Sequence, residues 1–416
     1  MSRQEPQFST RTSAVPQTAS QYSADVVQHL LDRAFYFHLY SSPRAQSSVF
    51  STAIRRADCD IGFQIRERLR RFEVLMDPPS VEFGLRASNT VGEVIGTFES
   101  RWLFCPDDFQ ALPHIEPPPT SFDPTRRQRF VMLDGTCVLG NNGDGFYGFG
   151  TGTTFPSTGG TLLAAAVGNV MEGRGRFKTL EGTYTYCGTL NCEEGFRGSL
   201  MLRVMDPHKA IASVERLPAI ESEGWPERGV TYLMFRGQAT ETDKVAPFIG
   251  MRGEPIGLNV EQQLRLFRTD TAARGSNGLQ STINIGQTIG EINAQIIFNP
   301  ARGGNALDPI PYTALDEYKF TDGHRESIGS FFIDEGEGRT FNLQLPGAPG
   351  QPAIRFGGFG PILRGTGSLQ GAEGLMTDNS VVSFEPHVSA SVYVIRVNDS
   401  QGKYRVSGRR ERDRDQ

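Results

Sequence analysis

A chain of 416 residues with 21 % charged residues and a formal net charge of −5 has no general electrostatic attraction to nucleic acid or to an anionic membrane surface. No apolar stretch approaches the length of a membrane span, and the five cysteines are too sparse for a disulfide framework, which fits reduced thiols in a cytoplasmic protein. The length allows two domains of ordinary size, each able to bury its own core.

Residues 1–22 are polar, lack the apolar run of a secretory signal and read as a disordered lead. Ser23 caps a predicted helix from Ala24 to about Asp32, and the aromatic run Phe35 to Tyr40 follows as a strand. The proline-rich segment from His114 to Thr120 is a surface connector. Strand-like runs at 126–139, 183–190 and 199–204 are rich in Val, Thr, Tyr and Phe, with glycine or proline between them. Between the first two, Gly143-Asp-Gly145-Phe-Tyr-Gly148 matches a dinucleotide fingerprint by letter. A second glycine-rich turn, Gly150-Thr-Gly152, follows it where a helix would have to start, so it reads as a hairpin turn. The first strand-rich unit spans 23–207, residues 208–228 form a linker, a second unit spans 229–405, and 406–416 is a charged tail. No long stretch places apolar residues at helical spacing.

The chain also repeats itself. The run from Gly168 to Gly182 matches the run from Gly360 to Gly374 without a gap, with five of fifteen positions identical: Gly168/Gly360, Gly173/Gly365, Gly175/Gly367, Glu181/Glu373 and Gly182/Gly374. Collinear echoes extend it: Thr90-Val-Gly-Glu93 with Thr288-Ile-Gly-Glu291, Gly150-Thr-Gly152 with Gly336-Glu-Gly338, Arg203 with Arg396, Leu69-Arg70-Arg71-Phe72 with Leu264-Arg265-Leu266-Phe267, and Tyr36 with Tyr232. Repetition at this scale, with many short strands and tight turns, predicts an all-β chain of two tandem antiparallel β-barrels with a pseudo-twofold internal repeat.

The run Gly173-Arg-Gly175-Arg-Phe177-Lys-Thr-Leu-Glu-Gly182 resembles the Gly-Thr-Gly-x-Phe-x-Gly-x-x-Gly hairpin of the allene oxide cyclase and dirigent-protein superfamily. Gly365-Thr-Gly367-Ser-Leu369-Gln-Gly371-Ala-Glu-Gly374 is closer still. The resemblance implies eight-stranded antiparallel barrels whose lumen guides cyclisation or coupling of a reactive apolar small molecule without a cofactor. Members of that superfamily usually have one barrel and often work as oligomers, so a homo-oligomer remains open for this two-barrel chain. The family's catalytic acid and arginine positions do not align to this chain.

The six histidines are scattered, with no cysteine or second histidine at ligand spacing, so no metal site is expected. Asp334-Glu-Gly-Glu337 is acidic but lacks the alternating ligands of a calcium loop, and no Gly-x-Ser-x-Gly elbow occurs. The candidate catalytic residues are Glu93 and Glu291, Arg203 and Arg396, and the pair Tyr184 and Tyr186. Each glutamate is a base if its strand face lines a lumen and a solvated charge if it does not. The arginines would anchor a carboxylate or enolate, or pair with a neighbouring glutamate. Tyr184 and Tyr186 share one face, where the second copy has Met376 and Asp378. The first copy is richer in aromatic residues, so its barrel, or the groove between the barrels, is expected to bind the ligand. The function expected is a cofactor-free cyclase or isomerase of secondary metabolism, with a pericyclic ring closure as one reaction that orientation alone would promote. A lipophile carrier and a structural or assembly protein are the alternatives.

Overall fold

A computed structural model describes residues 34–40, 61–105, 127–139, 143–157, 162–178, 181–191, 195–204, 227–238, 244–268, 284–298, 310–344, 352–384 and 387–406. The helix expected from Ala24, the proline-rich segment and most of the linker lie outside these residues. Among the described residues there are 17 strands and no α-helix, hence no helix long and apolar enough to cross a membrane.

The strands pair into two closed rings. In the first, β1 (Ala34–Tyr40), β2 (Ile61–Met76), β3 (Ala87–Cys105), β4 (Gln128–Leu139), β5 (Asp144–Pro156), β6 (Leu162–Arg174), β7 (Gly182–Asn191) and β8 (Gly195–Val204) pair antiparallel in chain order. β8 then pairs with β1, so the sheet closes as an eight-stranded barrel with no open edge. The second ring contains β9 (Val230–Gln238), β10 (Lys244–Ile249), β11 (Pro255–Arg268), β12 (Asn284–Phe298), β13 (Ile310–Thr321), β14 (Ser327–Gln344), β15 (Pro352–Gly365), β16 (Gly374–Phe384) and β17 (His387–Asn398). β17 and β11 both pair with β9, which closes a second eight-stranded ring, and β10 continues beside β11 past the end of β9.

The two rings share their wiring. Gly168 faces Tyr184 and Gly360 faces Met376; Gly182 faces Val204 and Gly374 faces Val397. Bulges fall between Leu69 and Arg70 on β2, and between Leu264 and Arg265 on β11. The same pairings correct two sequence correspondences. Arg203 faces Ala34 and Arg396 faces Tyr232, so Ala34 rather than Tyr36 stands where Tyr232 does. Leu69 faces Gly96 and Leu264 faces Gly290, so Gly96 rather than Gly92 stands where Gly290 does. Glu93 and Glu291 therefore do not hold equivalent places, because a bulge separates Glu93 from the matching register.

The glycine-rich signature has a packing role. β6 and β15 each run into a short 3-10 turn, Gly175–Phe177 and Gly367–Leu369. Gly175 and Gly367 take φ values of 60° and 58°, which a side chain would resist. The turns fold Phe177 and Leu369 back to be buried as apolar plugs in the cores of their barrels.

Strands β6 to β8 are buried on both faces because the second barrel covers the outer one. Leu163, Ala165, Val167, Cys187 and Met201 join Val392 and Val394 in a single apolar core. Polar groups lock the seam. Arg355 donates to Asn169 at 2.8 Å, to Thr183 Oγ1 at 3.1 Å and to the Gly182 carbonyl. Asn379 Nδ2 donates to the Thr183 carbonyl at 2.8 Å, and Asn89 bonds both backbone groups of Tyr232.

Candidate functional site

Inward positions of the first barrel carry large rings: Trp102 stacks on Phe130 at 4.3 Å, and Tyr186 stacks on Phe196 at 4.6 Å. Phe98, Phe146 and Tyr184 complete the filling. The rings that suggested a ligand site in this barrel instead pack against one another. Among them sits Glu67, fully buried, accepting a hydrogen bond from Tyr186 Oη at 3.0 Å. Burial pushes its carboxyl up to about 8, partly offset by that bond.

Strand register shows what the second barrel has in the same places. Ile292 stands for Phe98, Ile296 for Trp102, Tyr312 for Phe130, Asp378 for Tyr186 and Gln262 for Glu67. Asp316 stands for Gly135, the glycine that leaves room for Tyr184 in the first barrel. Smaller side chains leave a cavity that opens to solvent at one end.

The cavity is graded along its depth. Leu258, Ile296 and Val382 form a half-buried collar with Phe356 at the mouth. Four residues further along β11, about 13 Å of strand, lies Gln262. At that depth are Asp316 of β13 and Asp378 of β16, with Glu335 of β14 on the wall, all at most 8 % exposed. Below them Leu264, Tyr318, Met376, Ile395 and the Leu369 plug close the barrel.

Local structure aims these groups inward. The stretch Tyr312, Ala314, Asp316, Tyr318, Phe320 alternates strictly, so Asp316 shares the inner face with its apolar neighbours. Between Ile333 and Glu337, β14 uses four steps against three on β15, and Glu335 sits in that bulge. A Cβ on Gly358 would lie 1.4 Å from Glu335 Oε1, and one on Gly338 would lie 2.1 Å from the Tyr312 ring. These two glycines let the carboxyl and the phenol lie flat against the sheet.

The hydroxyls of the site point at the carboxyls. Tyr312 Oη donates to Glu335 Oε1 at 2.7 Å, Tyr318 Oη to Asp316 Oδ2 at 3.4 Å, and Ser380 Oγ to Asp378 Oδ1 at 2.5 Å. Tyr393 and Ser391 both donate to Gln262 Oε1. Among the described residues no hydroxyl, amide or basic group donates to Asp316 Oδ1. Desolvation pushes Asp316 and Asp378 up to about 7. Desolvation, and then the charges of Asp316 and Asp378, push Glu335 well above the usual carboxylate range. Glu335 and Asp316 lie close enough to titrate together, so the proton held there belongs to the pair and not to either residue alone. Near neutral pH the cluster therefore offers both a proton donor and a proton acceptor. Among the described residues no group of three or more His, Cys, Asp or Glu is arranged to hold a metal ion.

The residues singled out from sequence are not assembled into one site. Tyr184 and Tyr186 do point inward, in the filled first barrel. Arg203 and Arg396 enter neither lumen. Arg203 leaves the outer face of β8 and donates to the carbonyls of Asn379, at 2.9 Å, and Ala390 in the second barrel. Arg396 leaves β17 in the opposite sense, pairing with Glu227 and donating to Thr189 of the first barrel. Glu291 is exposed on the outer face of β12 and pairs with Lys319 at 2.9 Å, so that face is the solvated one. The side chain of Glu93 lies outside the described residues. Asp316, Glu335 and Tyr312 were not among the sequence candidates. Asp316 was signalled by its place on the apolar face of an alternating strand, and Asp378 by its exchange with Tyr186.

No family model matches the chain, and no curated protein does. Among solved structures, a pterocarpan synthase dirigent protein aligns over 40 % of this chain and 83 % of its own, with 16 % identity and a TM-score of 0.25. A likeness at that level leaves the functional reading to the residues themselves.

Proposed function

We propose that the chain is a tandem duplication of one barrel in which the second copy holds the working site and the first has become a packed support. The matched registers and bulges of the two rings support the duplication. The working lumen would bind an apolar small molecule and catalyse its cyclisation or isomerisation by acid–base chemistry. The observation that carries this reading is the convergence of Asp316, Glu335 and Asp378 at the closed end of an apolar-mouthed cavity. A protonated Glu335 donates to an oxygen on which negative charge develops, or to an alkene carbon so that positive charge forms on its neighbour, while an ionised partner accepts a proton elsewhere on the same molecule. The collar excludes water and holds a folded conformer. The resemblance of the glycine hairpins to allene oxide cyclases and dirigent proteins is in keeping with such chemistry.

Ring closure and isomerisation leave the mass of the substrate unchanged. The test is to compare metabolites of the native host with the gene intact, deleted, or replaced by Glu335→Gln. The reading expects one compound to be lost and an isomer of identical mass to build up in both altered strains. If native mass spectrometry finds a bound lipophile while no isomer pair responds, the lumen is a carrier site.

A further inference from the structure

We propose that the second barrel selects lipophilic molecules bearing a protonatable amine and seats the nitrogen against Asp316, Glu335 and Asp378, with the apolar part in the collar. This rests on reading that lumen as the substrate site and narrows its substrate class.

Three observations point to an organic cation. Among the described residues, those lining the cavity include three carboxyls and no lysine, arginine or histidine. The polar groups facing it are dominated by acceptors, because the hydroxyls of Tyr312, Ser380 and Tyr393 are turned toward Glu335, Asp378 and Gln262. Asp316 is 2 % exposed, yet among the described residues no hydroxyl, amide or basic group donates to its Oδ1. A buried oxygen left in that state is expensive unless a ligand donor reaches it. A neutral alcohol or carbonyl would satisfy part of this surface. An ammonium brings three donors and the opposite charge together. The rings of Tyr312, Phe356 and Tyr393 border the same space and suit a weakly hydrated organic cation.

The groups facing the cluster set its response to pH. They are Tyr312 and Tyr318 on β13, Asp334 beside Glu335 on β14, Tyr393 on β17, and Arg203 of β8 behind Asp378. Burial keeps the tyrosines of this set protonated. In the empty lumen desolvation holds protons on the carboxyls, so an arriving ammonium ionises one and releases its proton to solvent. Binding should therefore tighten as pH rises from 6 to 8.

The test uses the full chain with octylamine, 1-octanol and octanoate as probes, titrated calorimetrically at pH 6, 7 and 8 in two buffers of different protonation enthalpy. Octylamine is expected to bind roughly 10-fold or more tighter than 1-octanol at pH 8. Its heat should depend on the buffer, and Asp316→Asn should remove the preference. The wild-type pH series stands as a second measurement if that variant folds poorly. Octanol or octanoate binding as well as the amine would overturn the amine proposal and leave the lumen as a lipophile site. Binding of none of the three would overturn the lumen reading itself.

Discussion

Arg203 of the first barrel donates through Nη1 to the carbonyl oxygen of Asn379 at 2.9 Å, one residue beyond Asp378 in the wall of the second barrel's cavity. Its other carbonyl partner, Ala390, adjoins Ser391, which also lines the cavity. The first barrel thus forms the back of the second barrel's site, and its positive charge draws the Asp378 carboxyl downward against desolvation.

Arg203→Leu should lower stability by about 3 kcal/mol, since it leaves two buried carbonyls without this donor. Arg203→Lys should recover part of that loss. Urea unfolding of the two variants measures it. Carboxyl NMR titration should show Asp378 moving upward in the leucine variant and less so in the lysine variant. An unmoved Asp378 would mean that Arg203 holds the seam without acting on the site.

Glu67 gives a pH dependence of definite sign. Its folded value near 8 lies above its ordinary value of 4.5, so between those limits the folded chain keeps a proton that the unfolded chain has lost. This residue's contribution to stability is complete below pH 4.5, falls by about 1.4 kcal/mol per pH unit as pH rises toward 8, and is flat above that. Glu67→Gln keeps the shape and removes the titration. The variant should therefore gain on the wild type as pH rises from 5 to 8. Melting temperatures of the pair across that range test it, and a constant difference would place Glu67 in better contact with water than its burial indicates.

These residues show what was legible from sequence. The repeated glycine runs could be read because a bend at positive φ demands glycine at Gly175 and again at Gly367. Asp316 could have been found, since every second residue from Tyr312 to Phe320 turns inward and all but Asp316 are apolar or aromatic. Arg203 could not be oriented: β8 is buried on both faces, so Leu200, Met201 and Leu202 offer no polar side to mark the outside. Glu335 was hidden for another reason. It lies in a bulge, where two-residue periodicity breaks, and its inward turn depends on Gly358 of a strand that pairs with its own.

Gly358→Ala probes that dependence. The added methyl would overlap Glu335 Oε1 at 1.4 Å and lie 2.7 Å from Tyr312 Oη, so the carboxyl must swing into the cavity or out of it. The barrel should still close, because β15 keeps its backbone pairing with β14 and β16. Expected outcomes are a loss of roughly 1–3 kcal/mol in stability from overpacking and at least a ~10-fold loss of octylamine affinity, the factor that 1.4 kcal/mol represents. Calorimetry beside a thermal melt separates the two, and full affinity in the Gly358→Ala variant would remove Glu335 from the site.

The contrast between the barrels predicts how Trp102 behaves. Its ring is fully buried, stacked on Phe130 at 4.3 Å and set edge-on to Tyr186 at 5.6 Å, and its Nε1 donates to Ser100 Oγ at 2.9 Å. The second barrel has Ile296 in that place, at the mouth of its cavity. If the first barrel is a packed support, Trp102→Ala should cost about 3–5 kcal/mol, because the surrounding rings are held by a closed sheet and cannot collapse into the space. The hollow would be lined mainly by the rings of Phe130, Tyr186 and Phe196 beside the freed Ser100 hydroxyl, so benzene should bind there and restore part of the lost stability. Thermal melts of the variant with and without benzene make the measurement. A loss below about 1 kcal/mol, with no response to benzene, would mean that the first lumen already accommodates a ligand-sized space.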